Sequence, residues 1–206
     1  MLHAGFALLV TLAVAGGLYG LGDWLAPRAS VGARWLFGWS ALWWVMALPA
    51  QLVSPRIGAA FGLAMTVVGL ARLLRRGGAS RRPLLLGCAA LMLGAPLWLA
   101  PPHFYDALVY HLGLPWSWLA NRSFAPVDHN LFSHFPLAAS TVFLLPVVAE
   151  APEAAAGLHW LTFIAALGSL VSLSRNLGAG RWSWMAPALL CGSWHAPWLA
   201  GLAAQA

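Results

Sequence analysis

Lysine is absent from this sequence, and charged residues of any kind are scarce. Charged side chains make up 8% of the 206 residues and hydrophobic ones 61%, whereas a soluble domain carries about 25% charged residues. A soluble core could not cover so much apolar surface, and exposed apolar patches of that extent promote aggregation. The scarcity of charge therefore excludes a soluble domain and predicts a protein embedded in lipid.

Cysteines and acidic residues are also few. Cys88 and Cys191 lie far apart inside apolar runs, which excludes a disulfide framework and a paired-cysteine metal site. Eleven basic residues, all arginine, face five acids and give a net charge of +6, but five of the arginines fall within residues 72–82. Positive charge concentrated in one short segment indicates membrane topology rather than nucleic-acid binding, so we expect no nucleic-acid partner.

Strand-like alternation of polar and apolar residues is missing too, and the apolar residues instead form long runs. A helix needs about 20 apolar residues to cross a bilayer. Six runs approach or reach that length: residues 4–21, 35–53, 57–74, 83–100, 154–173 and 182–204. A seventh run, 137–149, is short and bounded by prolines. The runs predict an all-α fold, a polytopic transmembrane helical bundle of about six to seven membrane segments.

The arginines indicate how these helices are oriented. Arg72, Arg75, Arg76, Arg81 and Arg82 mark a cytoplasmic loop, because such loops are enriched in basic residues. Segment 83–100 then runs outward, and residues 101–136 form an extracytoplasmic loop. Whether segment 137–149 crosses the membrane stays open. A full crossing would place the later arginines outside, and a short or re-entrant segment would keep them inside.

The chain is thus predicted to have three parts. Residues 1–100 form four N-terminal transmembrane helices, residues 101–136 an extracytoplasmic loop of catalytic type, and residues 137–206 further membrane helices. No charged residue occurs from Trp182 to the end of the sequence. We interpret this ending as that of a truncated chain, which we expect to be inactive on its own.

The extracytoplasmic loop holds most of the candidate chemistry. It contains two of the three aspartates and four of the seven histidines, and ionisable groups near a membrane are costly and usually retained for function. They are Asp106, Asp128, His103, His111, His129 and His134. The alternative for the histidines is interfacial anchoring, and for Asp106 it is a favourable interaction with a helix dipole.

Apolar residues recur at helical spacing across positions 108–119, which predicts an amphipathic helix lying at the membrane interface. It should begin within a few residues of position 105 and place Asp106 and Tyr110 on one face, because residues four apart share a helix face. Pro115 should interrupt this helix or begin another. Trp116 and Trp118 suit the lipid headgroup region.

Two stretches of this region resemble a known family. Asp-Ala-Leu-Val-Tyr-His-Leu-Gly-Leu-Pro at 106–115 and Asn-Leu-Phe-Ser-His-Phe-Pro-Leu at 130–137 are similar to the first extracytoplasmic loop of GT-C fold membrane glycosyltransferases. The nearest group is the protein-mannosyltransferase and aminoarabinose-transferase-like branch of bacterial family-39 enzymes. The resemblance covers about residues 97–145 and, more weakly, 154–197.

The resemblance implies sugar transfer, with inversion, from a polyprenyl-phosphate-linked donor to an acceptor. It places the chain in the bacterial cytoplasmic (inner) membrane with the loop in the periplasm, and membrane lipid and the lipid-linked donor as its partners. Asp106 would be the catalytic carboxylate, acting as base toward the acceptor hydroxyl. The remaining candidate substrate-binding residues are Tyr110, His111, Arg122, Asn130 and His134.

The departing phosphate needs positive charge or a metal ion beside it. Arg122 is one candidate, and a divalent cation held by Asp128 and His129 is the other, since carboxylate and imidazole both suit such ions. Related sequences carry glutamate four residues after the Phe-Pro proline, where this chain has Ser140. The second acidic role is therefore left open, with Asp128 as one candidate for it.

Two other classes of function remain open. A transporter would explain the prolines and glycines inside the apolar runs, but transporters place ionisable groups within their spans, where this chain has little beyond His159 and His195. An inactive or truncated membrane scaffold of the same fold would explain Ser140 and the abrupt end. A zinc hydrolase is disfavoured, because no His-Glu-x-x-His motif is present.

Overall fold

The computed structural model describes residues 2–76, 81–99, 107–134 and 138–192. Within these ranges the regular structure is entirely helical, as predicted. The long helices are α1 (Leu2–Leu25), α2 (Val31–Leu52), α3 (Pro55–Arg75), α4 (Arg81–Trp98) and α8 (Glu153–Asn176). The shorter elements are a π-helical turn (Ala107–His111), α5 (Gly113–Asn121), a 3₁₀ turn (Leu131–His134), α6 (Ala138–Val142), α7 (Leu144–Val148), a second 3₁₀ turn (Gly180–Trp182) and α9 (Met185–Gly192).

Three of these helices are long and apolar enough to cross a membrane: His3–Leu25, Pro55–Arg75 and Glu153–Asn176. They correspond to the predicted runs 4–21, 57–74 and 154–173. Helices α2 and α4 match the predicted runs 35–53 and 83–100; α2 packs against α1, α3 and α8, and α4 packs against α8. Of the predicted run 182–204, the described part contains only α9, and α9 begins three residues later than predicted.

Local sequence explains where α2 and α3 begin. The hydroxyl oxygens of Ser30 and Ser54 accept hydrogen bonds from the backbone N–H groups of Ala33 and Ile57, at 3.2 and 3.3 Å. Such caps satisfy donors that the first helical turn leaves without a partner. Pro55 follows its cap directly, at the helix position where a missing N–H costs nothing. Each helix therefore starts at a residue that the sequence specifies.

Helices α1 and α3 approach each other until their backbones touch. A side-chain carbon added at Gly20 would collide with the backbone of Gly69, and one added at Gly17 would collide with the backbone of Thr66. Small residues that allow such close approach are typical of helix pairs in membranes, where van der Waals packing replaces the hydrophobic effect. The α1–α3 pair is accordingly the most closely associated one in the bundle.

One end of the bundle carries a buried carboxylate surrounded by arginines. Asp23, at the end of α1, is 3% exposed. Its carboxylate lies 3.0 Å from Nη1 of Arg34, 2.6 Å from Nη1 of Arg76 and 3.9 Å from Nε of Arg72. Arg34 is further fixed because its guanidinium donates to the hydroxyl of Tyr19 and to backbone carbonyls. We call this group the Asp23 cluster.

The opposite end holds the start of α8. Nε2 of His3 lies 3.2 Å from Oε1 of Glu153, so α1 and α8 begin together. Trp98, at the end of α4, lies beside Gly157 of α8. The chain therefore leaves α4 and enters α8 at one end of the bundle. The later part of α8 contacts Gly32 at the start of α2, on the side of the Asp23 cluster.

Segment 137–149, whose crossing the sequence left open, does not reach the other end. Residues 138–148 form two helices of five residues each, α6 and α7, and eleven residues rise only about 16 Å against a hydrocarbon core of about 30 Å. Pro146 explains the break at Phe143, because its ring clashes with the carbonyl four residues earlier and it lacks an N–H. Arg175, at the end of α8, consequently lies toward the Asp23 cluster.

Candidate functional site

The described part of the predicted catalytic loop, residues 107–134, lies at the end of the bundle where α8 begins. Where the sequence predicts a helix that begins near position 105, the described residues form the π-helical turn and α5; that this segment lies at the membrane interface stays a prediction. Pro115 occupies the first turn of α5, so it begins a helix. Asp106 and His103 lie outside the described residues, as does the side chain of Tyr110. The predicted shared face of Asp106 and Tyr110 therefore stays a prediction.

Asn130 and Ser133 hold the loop together. Nδ2 of Asn130 donates to the backbone carbonyl of Val109 at 2.9 Å, within the π-helical turn. The Ser133 hydroxyl donates to the carbonyl of Asn130 at 2.6 Å and accepts from the N–H of Val127 at 2.8 Å. Both side chains are buried, and buried backbone groups need such partners. Asn130, predicted to bind substrate, thus uses its amide to position the segment that follows Asp106.

His111 is brought next to a histidine from a distant helix. Its ring centroid lies 6.3 Å from that of His159 in α8, and 6.2 Å from that of Phe143, which it meets edge to face. Nδ1 of His159 is buried and has no hydrogen-bond partner among the described residues. The sequence singled out both histidines separately but gave no reason to pair them, because only the return of the chain through α6 and α7 places α8 beneath the loop.

Arg122, Asp128 and His129 are exposed in the structure. Arg122 terminates α5 in the left-handed conformation, with φ of 53°. Within residues 2–76, 81–99, 107–134 and 138–192, no group of three or more His, Cys, Asp or Glu side chains could hold a metal ion. Asp128 and His129 would thus need a further ligand from elsewhere, and the cation site stays a prediction.

Among the described residues, three cavities border α5, and two of them lie on opposite sides of it. On one side, α1, α3, α5 and α7 enclose an apolar cavity of about 760 Å³. Its walls include Val14, Trp116 and Leu145, and its charged lining residue is Arg56, at the start of α3. Thr66 lines it further along α3, and its buried hydroxyl has no hydrogen-bond partner in the described part of the chain. We call this space the apolar cavity.

On the other side of α5 lies a cleft of about 410 Å³ with aromatic walls, the aromatic cleft. Its polar lining residues include Gln51 and His134. Nε1 of Trp118 is buried and finds no acceptor among the residues that the structure describes. The aromatic residues that line the cleft are Trp43, Trp44, Trp118 and Phe124.

The prediction that Trp116 and Trp118 both suit the headgroup region is wrong for Trp118. Trp118 is 3% exposed and stacks at 4.2 Å on Phe124, whereas Trp116 is 50% exposed. Residues two apart on an α-helix point in directions about 200° apart. The two indoles therefore serve opposite sides of α5, one at the apolar cavity and one at the aromatic cleft.

Arg56 was not identified from the sequence, although a signal existed. It stands alone between two apolar runs, at the end of the predicted bundle that positive charge normally avoids. A lone arginine at that end of the bundle is unfavourable for membrane topology, so its presence suggests a specific interaction at that place. Its position beside the apolar cavity depends on the packing of α5 and α7 against α3. The local sequence around Arg56 does not predict that packing.

No protein-family model, curated protein or solved structure matches this chain. What the fold itself defines is an all-helical protein with three described helices that are long and apolar enough to cross a membrane.

Proposed function

We propose that this chain carries the donor-binding part of a GT-C-type membrane glycosyltransferase, which transfers a sugar from a polyprenyl-phosphate-linked donor to an acceptor outside the cytoplasm. The observation that carries the proposal is the placement of α5, which separates the apolar cavity beside Arg56 from the aromatic cleft beside His134. A lipid-linked sugar has one apolar and one hydroxyl-rich part. The two cavities match those two parts.

The apolar cavity suits the lipid. Arg56 and Thr66 are ten residues apart on α3, so the cavity follows about 15 Å of that helix. Its volume of about 760 Å³ lies within the range of about 300–1,000 Å³ typical of ligand pockets. A prenyl chain would lie against the apolar walls, and the guanidinium of Arg56 would pair with the phosphate in the bidentate way that favours arginine at such sites.

The aromatic cleft suits the sugar or the acceptor. Apolar C–H faces of a sugar ring can pack on Trp43 and Trp44, which are amphipathic and only partly buried. The N–H of Trp118 would donate to a sugar hydroxyl, which removes the cost of a buried donor without a partner. His134 and Gln51 supply further donors and acceptors at the same cleft.

The reaction is a single displacement with inversion. The acceptor oxygen forms a bond to the anomeric carbon while the bond from that carbon to the phosphate oxygen breaks, and the phosphate leaves with the electron pair. Asp106 takes the proton of the acceptor hydroxyl. Positive charge from Arg56, or from Arg122 at the end of α5, stabilises the departing phosphate.

For the membrane arrangement, we propose that the Asp23 cluster faces the cytoplasm and the loop faces the periplasm of a bacterial inner membrane. Helices α1, α2, α3, α4 and α8 would each cross, and the segment that starts with α9 would be a sixth crossing. Segment 138–148 would stay in the outer half of the bilayer. This arrangement keeps Arg175 on the arginine-rich side, as the distribution of basic residues in membrane proteins favours.

An inactive scaffold of the same fold is the second candidate. The observation that favours it is Ser140, which stands where related sequences carry glutamate and is fully buried in α6. A buried serine in that place cannot supply a second acidic group to either cavity.

Two variants separate these functions. In a sugar-transfer assay with polyprenyl-phosphate donors, carried out on the complete proposed enzyme of which this chain is the donor-binding part, Asp106→Asn should lower turnover about 10²–10⁴-fold, the usual range for loss of a general base, with donor binding retained. Arg56→Gln should weaken binding of polyprenyl phosphate about tenfold or more, because an arginine–phosphate pair is charge-assisted. Arg28→Gln, an equal change of charge on an exposed residue at the other end, is the control.

The two outcomes against the proposal are distinct. Normal transfer by a stable Asp106→Asn protein would end the catalytic assignment. Loss of donor binding in Arg122→Gln with none in Arg56→Gln would place the phosphate at the end of α5 and remove the apolar cavity from the donor site.

A further inference from the structure

Another pocket lies at the opposite end of the bundle, beside the Asp23 cluster. It has a volume of about 500 Å³ and is bounded by the last turns of α1 and α3. Three arginines, two small apolar residues and one tryptophan line it. We call it the arginine pocket, and its lining residues are Trp24, Val68, Ala71, Arg72, Arg75 and Arg76.

The arginine pocket has a large excess of positive charge. The carboxylate of Asp23 is shared among Arg34, Arg72 and Arg76. Arg75 has no ion pair or hydrogen bond with another side chain in the described ranges. Three guanidinium groups therefore line the pocket, while the Asp23 carboxylate beside it is also shared with Arg34, so positive charge is in clear excess. Mutual repulsion among fixed like charges is relieved when an anion binds between them.

Asp23 also makes the pocket rigid. Because its carboxylate is buried and holds Nη1 of Arg76 at 2.6 Å, the guanidinium of Arg76 is fixed by α1 although it belongs to the end of α3. The Nε atom of Arg72 is buried and has no hydrogen-bond acceptor within the described residues. An anion bound to Arg75 would therefore meet Arg72 and Arg76 already positioned beside it, which lowers part of the entropic cost of binding.

The apolar part of the pocket identifies the kind of anion. Val68 and Ala71 lie one helical turn apart on α3 and continue the apolar surface of that helix up to the arginines. The Trp24 side chain is 53% exposed, as is typical of tryptophan at the level of lipid headgroups. A soluble anion would gain nothing from Val68, whereas a phospholipid presents a phosphate directly above an acyl chain.

We propose that the arginine pocket binds the phosphate of an anionic phospholipid, with Arg75 as its principal partner and the first part of an acyl chain against Val68 and Trp24. Basic pockets between transmembrane helices are suited to such lipids. The bound lipid would neutralise part of the charge excess and join α1 to α3 at their arginine-rich end. This role is independent of any transferase activity at the other end of the bundle.

The test compares lipids and variants in detergent micelles. Phosphatidylglycerol is titrated into the purified protein and bound lipid is counted by native mass spectrometry, with phosphatidylcholine of the same acyl chains and inorganic phosphate as separate arms. Phosphatidylglycerol should bind, phosphatidylcholine should bind about tenfold more weakly or worse, and inorganic phosphate should not compete at equal concentration. Arg75→Gln should weaken phosphatidylglycerol binding about tenfold.

Arg28→Gln is the matched control. Arg28 is exposed at the same end of the bundle but does not line the pocket, so this variant should bind phosphatidylglycerol within about twofold of the unchanged protein. Equal losses in Arg28→Gln and Arg75→Gln would reduce the effect to general charge and overturn the proposal. Equal binding of the two lipids, or displacement of phosphatidylglycerol by inorganic phosphate, would overturn it as well. Native mass spectra separate folded from unfolded protein by charge state, so bound lipid is compared for the folded population of each variant.

Discussion

Replacing Asp23 by asparagine should destabilise the bundle substantially. Removing one member of a fully buried ion pair costs about 3–5 kcal/mol, because the remaining charge is left without compensation. The side chains of Arg34 and Arg76 are 23% and 40% exposed, so water takes over part of the lost interaction. We therefore expect a loss of about 2 kcal/mol in the free energy of unfolding.

The measurement is equilibrium unfolding in mixed detergent micelles, with the single variants Asp23→Asn and Arg34→Gln and the double variant. The effects should be less than additive by about 1 kcal/mol, since the two side chains share one hydrogen bond of 3.0 Å. A loss below about 0.5 kcal/mol for Asp23→Asn, the range of ordinary surface substitutions, would refute the reasoning. So would strict additivity in the double variant.

Three further changes probe the loop. Asn130→Ala should lower the free energy of unfolding by about 1–3 kcal/mol, because the Val109 carbonyl loses its hydrogen-bond donor. Unchanged stability would contradict this structural role and leave substrate binding as the role of Asn130. Arg122→Gly should stabilise the chain by about 1 kcal/mol, since glycine adopts a φ of 53° without strain. A lower melting temperature for this variant in thermal unfolding would mean that the arginine side chain makes a stabilising contact. In a protein whose Cys88 and Cys191 are replaced by serine, Ser123→Cys should react with a membrane-impermeant thiol reagent in intact cells. Reaction only after lysis would reverse the proposed orientation.

The helices themselves were predictable because their signal is local. Apolar runs of sufficient length predicted α1, α3 and α8, and serine caps account for the starts of α2 and α3. Segment 137–149 could be recognised as short, but that residues 138–148 do not reach the other end of the bundle became clear only from the position of α8. That position depends on contacts between residues far apart in the sequence, such as His3 with Glu153.

The candidate site was predictable in part and for a similar reason. The clustering of ionisable residues identified the loop, and helical spacing predicted a helix within it. The helical spacing did not predict that Trp116 and Trp118 face different cavities. An amphipathic pattern identifies one buried face of a helix, but it does not show what packs against the opposite face. The isolation of Arg56 between two apolar runs was a usable signal, but its place beside the apolar cavity and the contact between His111 and His159 arise from tertiary packing, for which the sequence carried no pattern.

The close backbone contacts of the bundle also have a consequence for biosynthesis. Gly17, Gly20 and Gly38 bring α1 against α3 and α2, and all three helices are complete by residue 76, before any part of the loop has been translated. The first three helices therefore possess their own interlocking surfaces before α4 is made, and association of helices inserted in a bilayer needs no further partner than such surfaces. We expect them to assemble as a unit while the ribosome is still adding α4, so that the later cavities form against a platform already in place.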